Sequence, residues 1–261
     1  MMKAWTDLTI LRLLMMYMMT VGGLSQAHAT PKESAGSRDV KDATGKMSAE
    51  ISYREPNPEG RCTYRSYQWS TRLKRAVNRV KVNKRRAELT AEERDPDFPQ
   101  CTVCREDQEE IKVKGIPSVT VCKHFAPQVR EALDKLAQER RANPKAFRVV
   151  SLIGYRVGKT RGRLHKGVRM DFSNHSYGTA IDINAKSNGL YRPCTPKTMT
   201  SFQDVKRCKL RHGGHWKPKK KPSLSISRED KVYEYFTSFW KWGGERKDRV
   251  RDFMHFSPTG L

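Results

Sequence analysis

The sequence predicts an α+β fold in which a central antiparallel sheet is covered by helices. Two observations carry that expectation. One stretch in the middle of the chain repeats its apolar residues at helical spacing, while short β-branched runs lie elsewhere. The two kinds of segment do not alternate as the βαβ units of a parallel sheet would, and no internal repeat is visible.

In chain order, the first element is an export signal. Lys3 and Arg12 flank the start of an apolar run, Leu13 to Leu24, followed by Ser25-Gln26-Ala27-His28-Ala29. A basic start, a short apolar core and an A-x-A exit are the layout of a secretory signal peptide, here residues 1–29. No later segment approaches the ~20 apolar residues of a membrane helix, so the expectation is an exported protein of the periplasm or medium, not an integral membrane protein. Residues 30–61 are polar and contain Pro and Gly, which predicts a flexible leader. From Leu73 to about Arg94 the chain is strongly basic, with Leu73, Val77 and Val80 at helical spacing. That predicts a cationic helix within an extension over residues 62–100, ended by Asp95-Pro96-Asp97-Phe98-Pro99.

The remaining domain, residues 101–261, has clearer signals. Val129, Ala132, Leu133, Leu136 and Ala137 form one apolar stripe, with Pro127 in the first turn and Asn143-Pro144 as the stop. Phe147 to Val157 reads as a strand, and Ala180 to Ile183 as a second, short one. Ser227 and Asp230 precede Val232, Tyr235, Phe236 and Phe239, a helix-opening pattern. The tract Lys217-Pro218-Lys219-Lys220-Lys221-Pro222 reads as an exposed loop.

The net charge of +24 calls for polyanionic partners. With export, and with no aromatic-interleaved nucleic-acid motif, the expected partners are anionic wall or membrane polymers rather than nucleic acid. Six cysteines are present: Cys62, Cys101, Cys104, Cys122, Cys194 and Cys208. An exported chain favours disulfides, and Cys194 and Cys208 are spaced to close a local loop. Cys101, Cys104, Cys122 and His124 also have ligand types suited to a structural zinc site, which stands as the rival reading.

Two segments carry the chemistry. In the first, Ser173 to Asn184, the alternation around Ile181 and Ile183 buries two isoleucines and turns Asp182 to the other face. His175 on the preceding loop and Asp182 on the strand can then converge, an imidazole–carboxylate pair suited to zinc. The second contains Trp242-Gly243-Gly244 and then Asp252-Phe253-Met254-His255-Phe256. His255 completes a His, Asp, His ligand set with a fourth position left for water. Asp252, three residues earlier, shares its face if the stretch is a helical turn, and is placed to take a proton from that water.

These segments resemble the paired signatures of the M15 metallopeptidases, the family of D-alanyl-D-alanine carboxypeptidases and L-alanyl-D-glutamate endopeptidases. The first signature, S-x-H-x-x-G-x-A-x-D, is matched by Ser173, His175, Gly178, Ala180 and Asp182. The second, W-G-G followed by D-x-x-H-F, is matched by Trp242, Gly243, Gly244, Asp252, His255 and Phe256. The resemblance covers roughly residues 120–261. It implies one zinc ion on His175, Asp182 and His255 at the sheet, with Asp252 as general base and peptidoglycan stem peptide as substrate. It also implies a DD-peptidase or hedgehog-like fold. Gly154-Tyr155-Arg156 matches the family's upstream arginine, making Arg156 the candidate for orienting the substrate carbonyl, and Ser173 a candidate substrate contact. Ser257 stands where the family often has Glu or Gln, and Glu245-Arg246 where a tryptophan is common. His165, His212 and His215 match no ligand position. The competing expectation is a non-catalytic zinc domain that binds wall polymer or another protein; an intact Asp252 and Arg156 speak against it.

Overall fold

The computed structural model describes residues 59–194, 208–219, 224–246 and 248–261. The expected signal peptide, nearly all of the leader, and Lys220 to Pro222 of the basic loop lie outside these residues. Among the described residues no helix is long and apolar enough to cross a membrane.

The chain is mixed α/β, with antiparallel pairing dominant and few helices. Its first described elements correct the helical reading of the basic extension. Residues 61–85 form a hairpin of β1 (Arg61–Ser70) and β2 (Arg75–Arg85), antiparallel from Arg61↔Arg85 to Ser70↔Arg75. The spacing of Leu73, Val77 and Val80 was a false helical period. Val80 and Val82 are opposite Ser66 and Tyr64, and a bulge near Asn78, which has φ +50°, puts Val77 opposite Gln68. β-Branched valines facing a strand with aromatic residues at Tyr64, Tyr67 and Trp69 favour the pleated surface over a helix.

Beyond the hairpin, β3 (Gln108–Ile111) pairs with β4 (Val119–Cys122). Disulfides join Cys62 to Cys104 and Cys101 to Cys122, and a third joins Cys194 to Cys208. No described cysteine is free. This overturns the rival zinc reading of Cys101, Cys104, Cys122 and His124, because a sulfur in a disulfide has no thiolate to offer.

The predicted apolar stripe lies on α1 (Ala126–Ala142), with Val129, Ala132, Leu133, Leu136 and Ala137 all buried. This face packs on α3 (Lys231–Thr237), which buries Val232 and Phe236. Asp230 is the N-cap of α3, and its carboxylate reaches back to the Ser227 amide and hydroxyl at 2.8 and 2.7 Å.

Of the strand expected over Phe147–Val157, only β5 (Leu152–Ile153) pairs. The Asn184 side chain takes the place of a ladder for the residues before it. Its Oδ1 accepts from the Val150 and Ser151 amides, and its Nδ2 donates to the Arg148 carbonyl. Further on, β6 (Lys159–His165) and β7 (Val168–Phe172) form a second basic hairpin, joined edge to edge with the first in the order β2-β1-β6-β7. A one-turn helix, α2 (Asn174–Tyr177), leads into β8 (Ile181–Ile183), then β9 (Leu190–Tyr191) and β10 (Leu210–His212).

The last strands are β11 (Lys241–Trp242), β12 (Arg251–Asp252) and β13 (His255–Ser257). They complete two small sheets, β11-β13-β8-β5 and β10-β9-β12. The core beneath them is aromatic, with Trp242, Phe236, Phe253 and Phe256 fully buried.

Candidate metal centre

The sheet β11-β13-β8-β5 places two of the predicted ligands by register alone. Asp182 on β8 is the cross-strand partner of His255 on β13, and paired residues present their side chains on one face. Ile181 and Ile183 are fully buried on either side of Asp182, as the alternation predicted. His175 comes from α2, which ends at Gly178 with φ +71°. A Cβ at Gly178 would lie 2.0 Å from Gln108 Oε1, so only glycine ends the turn this close to β3.

One ligand-capable atom from each of His175, Asp182 and His255 falls within 4.8 Å of the others, and all three residues are buried. Their hydrogen bonds fix which atoms these are. His175 Nδ1 lies 2.8 Å from the Gly154 carbonyl, which can only accept, so Nδ1 carries the proton. Nε2 is then left as a lone pair, 3.2 Å from Asp182 Oδ1. On His255, Nε2 lies 3.1 Å from Ser257 Oγ, whose hydroxyl donates to the Leu261 carbonyl. Nε2–H therefore donates to Ser257, and Nδ1 faces Asp182 Oδ1 at 3.0 Å as a second lone pair. Two imidazole lone pairs and a carboxylate oxygen thus aim at one buried point. A cation between them would satisfy all three at once, and two nitrogens with one oxygen suit a borderline-soft dication. Burial pushes the Asp182 carboxyl up, but positive charge at this point outweighs it and holds the group well below the usual carboxylate range; without a cation between them, that charge is a proton on the His175 and His255 nitrogens that then donate to it.

Asp252 stands at the end of β12, paired with Leu190 of β9. The helical turn expected for Asp252 to His255 is absent. A strand end, the two-residue turn Phe253-Met254 and a new strand take its place, and the Trp242 indole pins that turn by donating to the Phe253 carbonyl at 2.9 Å. Asp252 Oδ1 is sealed from solvent with no hydrogen-bond partner. Burial, reinforced by the Asp182 charge, pushes this carboxyl up to about 6, against the opposing pull of His255, Arg246 and Arg161. The predicted Gly243 explains the tight approach, since a Cβ there would lie 2.6 Å from the Asp252 carbonyl and 3.3 Å from His255 Cβ.

The Arg156 amide donates to the His175 carbonyl at 2.9 Å, so its backbone is fastened to the ligand helix. Its guanidinium donates to Tyr67 Oη at 3.2 Å. Ser173, the residue before α2, is buried, and its hydroxyl has no partner. His165, His212 and His215 are exposed and stand apart from the cluster.

Four neighbours had no contact legible in the sequence: Ser257 and Arg246 stood out only as departures from the family pattern, and Tyr67 and Arg161 not at all. Ser257 orients His255, and Tyr67 holds Arg156 from a segment read as helix. Arg161 donates to Asn174 Oδ1 at 3.1 Å, has no ion pair among the described residues, and contributes with Arg246 to the charge around Asp252. The alternation of β6 and the sparing use of acids nearby were the available signals.

A buried convergence of metal-binding lone pairs beside an unpartnered carboxylate is the layout of a metal-dependent hydrolase. Residues 166–258 match the family model described as D-alanyl-D-alanine carboxypeptidase, which supports the M15 metallopeptidase assignment and a peptidase of peptidoglycan. The match takes in His175, Asp182, Asp252 and His255, and leaves Tyr67 and Arg156 outside it. No curated protein and no solved structure matches the chain. The disulfides, together with the peptidase match, point to an exported protein.

Proposed function

We propose that the protein is a zinc peptidase that hydrolyses an amide bond of peptidoglycan stem peptide, either the terminal D-Ala-D-Ala bond or the L-Ala-D-Glu bond. The observation that carries this is the pairing of three converging lone pairs with the unpartnered Asp252 carboxylate. His175 Nε2, His255 Nδ1 and an Asp182 oxygen would hold one zinc ion. Zinc held there supplies Lewis acidity toward water and the scissile carbonyl. Asp252 takes the proton of the attacking water and passes it to the leaving amine, a task suited to a carboxyl held near 6. Arg156, steadied by Tyr67, orients the substrate carbonyl and stabilises the charge that develops on it. Ser173 offers a buried hydroxyl to the substrate.

The same reading extends to the rest of the chain. Residues 1–29 serve as an export signal and those between it and β1 as a leader, and the domain, which takes in the first hairpin through the sheet β2-β1-β6-β7, adopts a DD-peptidase or hedgehog-like fold around the sheet carrying Asp182 and His255. The test is mass spectrometry of purified muropeptides incubated with the zinc-loaded protein, with and without a chelator. A chelator-sensitive product supports the proposal, and its mass identifies the bond. Absence of any product from a protein that retains stoichiometric zinc would overturn the catalytic reading in favour of a zinc-containing binding domain.

A further inference from the structure

The sheet β2-β1-β6-β7 has a feature that the chemistry of the metal centre does not use. Residues 61–85 carry nine Lys or Arg and no Asp or Glu, and residues 159–170 carry five and none. β1 and β6 run parallel through Gln68↔Lys159, so the turns of the two hairpins lie at the same end of the sheet. There they are fastened together, because the Thr71 amide and hydroxyl both donate to the Gly167 carbonyl, at 2.9 and 3.0 Å.

That end is both cationic and apolar. Arg72, Lys74, Arg75 and Lys166 are exposed, and none has an acidic partner among the described residues. Between them stand Trp69, Leu73 and Leu164, exposed at 37%, 48% and 54%. Ser70↔Val168 brings the Trp69 end of β1 against the start of β7, where Arg169 is paired with Leu164 of β6. Of seven large apolar side chains exposed among the described residues, four belong to this sheet, so the apolar exposure is concentrated where the charge is.

We propose that the paired hairpin tips dock on an anionic phospholipid surface, with Trp69, Leu73 and Leu164 entering the interface and the surrounding Arg and Lys meeting the headgroups. The combination selects this partner. A soluble polyanion would need the cations alone and would leave the tryptophan and leucines in water, whereas a bilayer interface takes both kinds of group at once. This inference goes beyond the peptidase reading and does not depend on it.

The experiment is sedimentation of the exported protein with vesicles of equimolar phosphatidylglycerol and phosphatidylcholine, against vesicles of phosphatidylcholine alone and against soluble polyphosphate. Binding to the anionic vesicles alone is expected, and it should weaken about tenfold or more both in Trp69→Ala/Leu73→Ser/Leu164→Ser and in Arg72→Gln/Lys74→Gln/Lys166→Gln. Brominated phosphatidylglycerol should quench part of the tryptophan fluorescence, and Trp69→Phe should remove that part while leaving the fold intact. If the apolar variant sediments like the parent, or Trp69→Phe leaves the quenching unchanged, the proposal is overturned. Polyphosphate competing with full strength against both parent and apolar variant would instead assign the surface to soluble polyanions.

Discussion

Replacing Asp252 with Asn separates what this carboxylate does for catalysis from what it costs the fold. In an unfolded chain the group titrates near 3.8, and in the folded protein burial and the Asp182 charge raise it to about 6. A carboxyl whose folded value is raised stabilises the fold below the unfolded value, and that contribution is lost as pH rises through 6. Above pH 6 the ionised Asp252 therefore costs the folded state up to about 3 kcal/mol, taking about 1.4 kcal/mol per unit. Asn has the same shape and no charge, so Asp252→Asn should melt several degrees higher than the parent at pH 7.5, measured by calorimetry with chelator present. Turnover should move the other way. Loss of a positioned base costs about a hundredfold to ten-thousandfold in kcat, measured on muropeptides with zinc content checked in parallel. In the parent, kcat/KM should fall tenfold per pH unit on an acid limb at or below about 6, because a dication at the triad draws the carboxyl down. An Asn variant that keeps a substantial share of the parent's turnover would refute Asp252 as the base. One that melts lower at neutral pH would refute the account of its buried charge.

Other perturbations address the supporting residues. Ser257→Ala removes the acceptor that fixes the His255 tautomer, and zinc affinity measured by competition with a chromogenic chelator should weaken roughly tenfold to a hundredfold. Ser257→Thr keeps the hydroxyl and should restore most of that affinity. Gly243→Ala would press a methyl to 2.6 Å from the Asp252 carbonyl, so kcat should fall with little change in zinc content. Tyr67→Phe frees the Arg156 guanidinium while leaving every ligand in place, and should lower kcat/KM several-fold with unchanged metal binding. Arg156→Ala should lower it further, by about a hundredfold.

What was legible in the sequence is the part written in short range. The α1 stripe repeats at 3.6 residues, and Ile181 and Ile183 alternate about Asp182, so both elements follow from local periodicity. The gathering of His175, Asp182 and His255 was legible because two compact signatures hold these residues, and Asp252 with them, at fixed spacing. The hairpin at 61–85 was misread because i, i+4 and i+7 spacing among three apolar residues does not by itself distinguish helix from strand. What decides is the facing strand, where Val77 and Val80 meet Gln68 and Ser66, and a bulge that resets the register. The long strand expected at Phe147–Val157 shrank for a related reason, since the Asn184 side chain supplies the hydrogen bonds a neighbouring strand would have made. Ser257 and Tyr67 act on His255 and Arg156 through contacts that exist only once β13 and β1 are in place.

The position of β13 also sets an order of events. It follows every other strand of its sheet in the chain, yet it lies inside that sheet, between β11 and β8. The cysteines that fasten the first hairpin are complete by residue 122, so a chain emerging N-terminus first can lock that region early. His255 joins His175 and Asp182 only with β13 in place between β11 and β8, so a chain not yet extended through β13 holds two of the three clustered residues and lacks the third.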